Sequence, residues 1–183
     1  RGENMEHRNA KVNISAAGGT AAKNSKTCKV TLPTTWLEEM GITEKHREVE
    51  LTFNGTTITL SRRPSGPDFA EQQQALGHEI RVLHFYDSDT LCSTIYADFT
   101  GQAVVVENQA VPPVKTAFGN NPFPDWNDFR HFLEGRCIPR QRAGLREYLE
   151  ALGLDEYDPL TILEKTGGRM AEDQQWLMIE VLK

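Results

Sequence analysis

Lys29-Val-Thr-Leu-Pro-Thr-Thr-Trp-Leu-Glu-Glu-Met-Gly-Ile42 is the stretch whose reading decides the fold. It opens as a strand, and Pro33 ends ladder pairing because proline has no N–H to give. Thr34 or Thr35 then caps a short helix carrying Trp36, Leu37 and Met40, and Gly41 stops it. Upstream, residues 11–15 alternate polar and apolar side chains as a half-buried strand does. Residues 16–25 are small and loop-like. Residues 27–32 resume the strand, with Cys28, Val30 and Leu32 on one face and Lys29 and Thr31 on the other. Downstream, residues 48–54 and 56–62 read as two strands joined at Asn54-Gly55, the strongest short hairpin signal. Val49, Leu51 and Phe53 alternate on the first strand, Ile58 and Leu60 on the second.

About fifty residues with so few large apolar side chains make a poor independent core. Area alone therefore predicts a homodimer through residues 11–63. The order strand, Leu32-Pro33, short helix, Met40-Gly41-Ile42 and hairpin resembles the swapped-hairpin DNA-binding domain of the AbrB, SpoVT and MazE families. That resemblance implies a small β-barrel built from two interleaved chains, with double-stranded DNA as partner. It singles out Lys11, Lys23, Asn24, Lys26 and Lys29 as the DNA-binding set, lysines where the family pattern usually has arginines. A lysine is a flexible point charge, so this set favours phosphate contacts and shape readout over bidentate reading of guanine. The alternative is that these are ordinary solubilising lysines on a glycine-rich loop.

Charge separates the two ends of the 183-residue chain. Residues 1–66 hold ten Lys/Arg against seven Asp/Glu, a net of +3, whereas residues 67–183 hold ten against nineteen, a net of −9. Such asymmetry favours two modules with different partners. Cys28, Cys92 and Cys137 are odd in number and widely spaced, which points to free thiols in a reducing cytoplasm rather than to a disulfide framework or a zinc site. No apolar run approaches the roughly 18 residues of a membrane span, and no signal-peptide core opens the chain. A cytoplasmic protein with no membrane partner is expected. Arg1 to Asn4, ahead of Met5, read as an alternative start or an added remnant.

Residues 64–78 read as a linker, since Arg63-Pro-Ser-Gly-Pro67 stops both helix and sheet, and 68–78 as polar chain or a frayed helix. Residues 79–183 then form an α+β partner-binding domain. Three strands are expected, from Glu79 to Tyr86, from Leu91 to Phe99 and from Gln102 to Glu107. Their turns fall at 87–90 and at Thr100-Gly101. Three helices follow: one capped by Asp125 with Trp126, Phe129, Phe132 and Leu133 on one stripe, one starting at Pro139 with Leu145, Tyr148, Leu149 and Leu152 buried, and one starting at Asp158-Pro159. Gly153 ends the second and Gly167-Gly168 the third. Residues 176–182 are a strand or a helix, with strand preferred. The whole is α+β: a dimeric swapped-hairpin β-barrel module, then an α+β module with a β-meander and three helices.

Phe129 to Leu133, Arg136-Cys-Ile-Pro-Arg-Gln-Arg142, Leu152-Gly-Leu154, Tyr157-Asp-Pro159 and Gly168-Arg-Met-Ala-Glu-Asp-Gln-Gln-Trp176 form a series. It is similar to an accessory domain found beside HipA-type kinases in Gram-positive bacteria and their mobile elements. The kinase itself, with its Gly-rich loop and catalytic Asp/Asn spacing, is not seen. The amino-terminal segment also resembles those of mobile-element proteins fused to varied carboxy-terminal domains, some of which look like inhibitors of type II CRISPR effectors. Together these imply a non-enzymatic DNA-binding protein of a mobile element, a transcriptional regulator or antitoxin-like protein that docks a second protein. The alternative is an anti-CRISPR inhibitor that binds a Cas9-type effector and DNA.

Arg136, Arg140, Arg142 and Arg146 cluster near an expected helix N-terminus and form a possible anion or partner site. The competing reading pairs them with Glu134, Glu147, Glu150 and Asp173 as a surface network. Asp173 and Trp176 read as structural, a turn or cap and a core anchor. His78, His84 and His131 have no partner at metal spacing, and Ser25 and Cys137 lack an activating His or Asp. No cofactor, metal or catalytic residue is expected.

Overall fold

The structure is a computed structural model that describes residues 6–17, 25–44 and 46–182. The chain is α+β and divides into two units, Arg1–Arg63 and Pro64–Lys183. The amino-terminal remnant reading, and part of the loop expected at 16–25, lie outside the described residues.

In the first unit, β1 (Asn13–Ala16) pairs antiparallel with β2 (Lys26–Lys29), placing Ile14 opposite Cys28. Helix α1 (Thr34–Glu39) follows, with Pro33 rather than either threonine at the cap and no side-chain cap hydrogen bond. Both threonines fall inside the first turn, because Pro33, with extended backbone at ψ 133°, takes the cap position itself. Gly41 at φ +69° reverses the chain, and the Ile42 N–H closes onto the Leu37 carbonyl at 2.8 Å, a Schellman end. Strands β3 (Val49–Phe53) and β4 (Ile58–Arg62) pair with Leu51 opposite Leu60. Their turn is longer than the expected two residues. Asn54 Oδ1 accepts from the Thr56 and Thr57 N–H groups at 3.1 and 2.9 Å, with Gly55 at φ +99°, so the asparagine organises a four-residue loop. Each hairpin is its own two-stranded sheet, and no closed barrel forms among the described residues.

The second unit opens with α2 (Gly66–Ala75), in the segment expected as linker. Ser65 Oγ accepts from the Asp68 N–H and Pro67 sits in the first turn. The Ser-Gly-Pro run that reads as a breaker is therefore a helix start. The meander follows as β5 (Ile80–Asp87), β6 (Thr90–Asp98) and β7 (Ala103–Asn108). After a 3-10 turn at Pro113–Lys115 come α3 (Trp126–Gly135), α4 (Leu145–Ala151) and α5 (Pro159–Thr166). The last element, β8 (Gln175–Val181), is a strand. All pairs are antiparallel in the order β7-β6-β5-β8.

Asp125 and Asp128 form a capping box at α3, and Asp158 accepts from the Thr161 N–H to cap α5. The second helix starts later than its sequence suggests. Pro139 lies in a turn, and α4 begins only after Gly144 at φ +80°.

The sheet buries both faces. On one, Leu83, Phe85, Ile95, Ala97 and Leu177 pack with Phe129, Leu133, Leu149, Ile162 and Leu163. On the other, α2 brings buried Phe69 and Ala70 to β5, β6 and β7, whose Ile80, Val82 and Val105 are buried. Gly66 makes the closest approach. A Cβ there would lie 2.0 Å from Tyr96 Cε2, whereas one at Gly135 would meet nothing within 4 Å. Gly66→Ala is expected to cost about 1–3 kcal/mol by overpacking. Gly135→Ala should be neutral or gain up to about 1 kcal/mol. Urea denaturation of both variants checks the pair, and equal stabilities would contradict the close helix–sheet contact.

Candidate nucleic-acid interface and partner-binding unit

Strand parity sorts the first unit's side chains onto two faces. Ile14, Cys28, Leu51, Phe53, Ile58 and Leu60 lie on the apolar faces of the two hairpins. These faces are open: Ile14 is 62% exposed, Leu51 63%, Phe53 69% and Ile58 69%. No described residue from 6 to 63 is buried. The opposite face of the first hairpin is polar, with Asn13 across from Lys29 and Ser15 across from Thr27.

The lysine set is divided by this parity. Lys29 stands on the polar face, whereas Lys26 pairs with Ala16 on the side of Ile14 and Cys28. Lys11 is exposed just ahead of β1. Lys23 and Asn24 lie outside the described residues. In α1 the Trp36 indole N–H donates to Glu6 at 2.7 Å and the Arg8 guanidinium lies 5.7 Å from its ring centroid.

The four arginines expected to form an anion or partner site, Arg136, Arg140, Arg142 and Arg146, do not converge. Arg136 is an internal clamp, its side chain only 9% exposed. Its guanidinium donates to Asp173 at 2.6 Å, to the Gly168 carbonyl at 2.7 Å and to the Gln175 carbonyl at 2.8 Å. It thereby ties the end of α3 to the segment that enters β8. The hydrogen bond from Arg136 holds the Asp173 carboxyl below the usual carboxylate range, against a smaller effect of burial. Arg140 stacks 4.2 Å from the centroid of Tyr157, whose hydroxyl donates to the Ile138 carbonyl. Arg146 pairs with Glu150 at 3.0 Å on the outside of α4. Arg142 is exposed in the turn before that helix. The helix N-terminus expected to collect them is absent at Pro139, because the helix starts at Leu145.

Two arrangements are missed by sequence reasoning. Asp98 is 1% exposed, accepting from the Thr100 and Gly101 N–H groups at 2.9 and 2.8 Å and meeting His78 Nδ1 at 2.7 Å. The Asp-Phe-Thr-Gly run is a local signal for the turn but carries none for the histidine, 20 residues away. A cleft of about 290 Å³ is lined by Phe99, Trp126, Phe129, Arg130, Glu134 and Asp158 among others. Burial pushes the Cys137 thiol up to about 11, so it is protonated at neutral pH and a poor nucleophile. Trp176 is only half-buried, stacked on Tyr86 at 4.4 Å. Among the described residues no group of three or more His, Cys, Asp or Glu is placed to hold a metal, and no helix is long and apolar enough to cross a membrane.

No protein family, curated protein or solved structure matches this chain significantly.

The clamp sets a pH dependence. Asp173 has a folded-state pKa below its unfolded value. Its contribution is therefore complete above the unfolded carboxylate pKa and lost as pH falls through the lower folded value. Arg136→Met, which removes the hydrogen bonds to Asp173 and to two carbonyls, is expected to cost about 1–2 kcal/mol near neutral pH, because Asp173 is partly solvent-screened and keeps the Gln175 N–H. The deficit should shrink in acid. Urea titrations at neutral and acidic pH check this, and a constant difference would contradict it.

Proposed function

We propose that this chain is a non-enzymatic DNA-binding protein that dimerises through residues 11–63 and docks a partner protein through residues 79–183. It acts as a transcriptional regulator or antitoxin-like protein of a mobile element. The observation that supports dimerisation is the first unit's open apolar surface: both hairpins expose Ile14, Leu51, Phe53 and Ile58. Isolated two-stranded hairpins are marginal in water. A second copy supplies the missing cover, and interleaving two pairs of hairpins gives the swapped-hairpin barrel of the families the sequence resembles. Closing the apolar faces leaves Asn13, Ser15, Thr27 and Lys29 outward, a polar, basic surface that suits a phosphate backbone.

The net charge of −9 on residues 67–183 favours a second reading. An acidic surface complements the basic nucleic-acid channel of a Cas9-type effector, so the chain would act as an anti-CRISPR inhibitor. A HipA-type kinase is the corresponding partner of the regulator reading. Footprinting separates the two: a regulator protects one discrete site in its own promoter, whereas an inhibitor blocks effector cleavage and protects none.

Light scattering on the full chain at micromolar concentration should give twice the mass of one chain, and Leu51→Asp with Phe53→Asp should return it to one. Binding to duplex DNA should fall steeply with salt. Lys29→Ala should lower the log–log salt slope by about 0.9 if one phosphate contact is lost. A parent chain that stays monomeric contradicts the dimer. A Lys29→Ala chain that binds like the parent at both low and high salt contradicts the assigned surface.

A further inference from the structure

The outer edge of β8 is open at its carboxy-terminal end. The Leu182 N–H donates to the Ile80 carbonyl across the β5 pairing, whereas the Leu177 N–H donates away from it, to the Gly167 carbonyl. Backbone groups alternate sides along a strand, so even-numbered residues bond β5 and odd-numbered ones point off the sheet. Arg136 and Asp173 occupy the outward groups of Gln175, and Gly167 that of Leu177. Among the described residues none meets the outward N–H of Ile179 or of Val181.

Beside this edge runs a groove of about 440 Å³ lined by Leu163 and Glu164 of α5 and by Trp176, Leu177, Met178 and Ile179. The edge lacks the usual guards. The β8–β5 ladder runs without a register shift, and Gln175–Val181 contains no proline and no lysine.

Charge selects the occupant. Arg81 is shared between Glu79 and Glu164, which leaves an excess carboxylate at that end of the groove, and on the opposite face of the strand Glu180 is an exposed carboxylate 3.9 Å from His84 Nε2. A second copy of this strand would add further carboxylates to an edge that is already acidic on both faces. A basic strand would neutralise them.

We propose that the edge from Leu177 to Val181 binds an extended segment of a partner protein by strand addition, with apolar residues facing Leu163 and Ile179 and lysines or arginines facing Glu180. Main-chain hydrogen bonds to Ile179 and Val181 hold the segment, and alternate side chains select it. This deepens the docking reading of residues 79–183 and rests on it, but not on DNA binding.

The test uses the full chain and a seven-residue blocked peptide alternating lysine and valine, with its glutamate–valine counterpart as control. Hydrogen exchange should slow at least tenfold at the Ile179 and Val181 amides when the basic peptide is added. Val181→Pro removes one outward N–H and leaves the β5 ladder intact, because edge prolines are tolerated on the open side. It should weaken binding at least tenfold. Glu180→Lys, an exposed change, should weaken the basic peptide about fivefold and favour the acidic one. Equal binding of both peptides, or an unaffected Val181→Pro chain, overturns the proposal. Peptide-free protection of these amides that grows with protein concentration also overturns it, in favour of self-pairing. Protection elsewhere in residues 79–183, or no binding at millimolar peptide, overturns the edge but leaves docking standing.

Discussion

Water contact with the apolar faces of two small hairpins is the constraint on which the first unit depends. Ile14, Leu51, Phe53 and Ile58 are each more than 60% exposed, and fully burying one such side chain is worth roughly 1.5–3 kcal/mol. Four of them left in water forfeit a sum comparable to the whole stability of a small domain. The polar faces offer no alternative core, because Thr52, Thr59, Glu50 and Ser61 line the other side of the second hairpin. Covering the apolar side would recover that sum, and the proposed dimer supplies the cover from a second copy.

The second unit solves the same problem internally. Helices α3 to α5 close one face of its sheet and α2 closes much of the other, with Gly66 admitting the helix against Tyr96. Arg136 then pins the β8 entry by donating to Asp173 and to the Gly168 and Gln175 carbonyls. The far end of the β8 edge stays open, and a core packed independently of it can lend that edge to a partner without losing its own fold.

Legibility in the sequence followed the range of the interaction. Asn54-Gly55, the Asp125 cap and Asp158-Pro159 announce themselves because their hydrogen bonds close within three residues. The meander was readable for the same reason, since its turns are short. Helix α2 was legible only as polar chain or a frayed helix from residue 68, because Ser65-Gly66-Pro67 has the composition of a breaker and its burial depends on Tyr96, 30 residues on. Pro139 misled in the opposite sense: proline suits a helix start, but here it lies in a turn ahead of Gly144. Neither the Arg136 contacts, 32 to 39 residues away, nor the pairing of β8 with β5 has a local signature. Within the expected DNA-binding set, period-two parity places Lys26 and Lys29 on opposite faces of the hairpin, and grouping them by resemblance concealed it.

Cys28 offers the most direct measurement of whether a second chain covers the apolar face. It is the exposed thiol of the three, on the same side of its hairpin as Ile14, while Cys92 and Cys137 are buried. Its alkylation rate in the full chain can be followed from nanomolar to tens of micromolar protein and compared with the urea-unfolded chain. A copy bound over this face predicts a rate at least tenfold below the unfolded one at the high end, rising on dilution as the dimer dissociates. A rate equal to that of the unfolded chain at every concentration would contradict it.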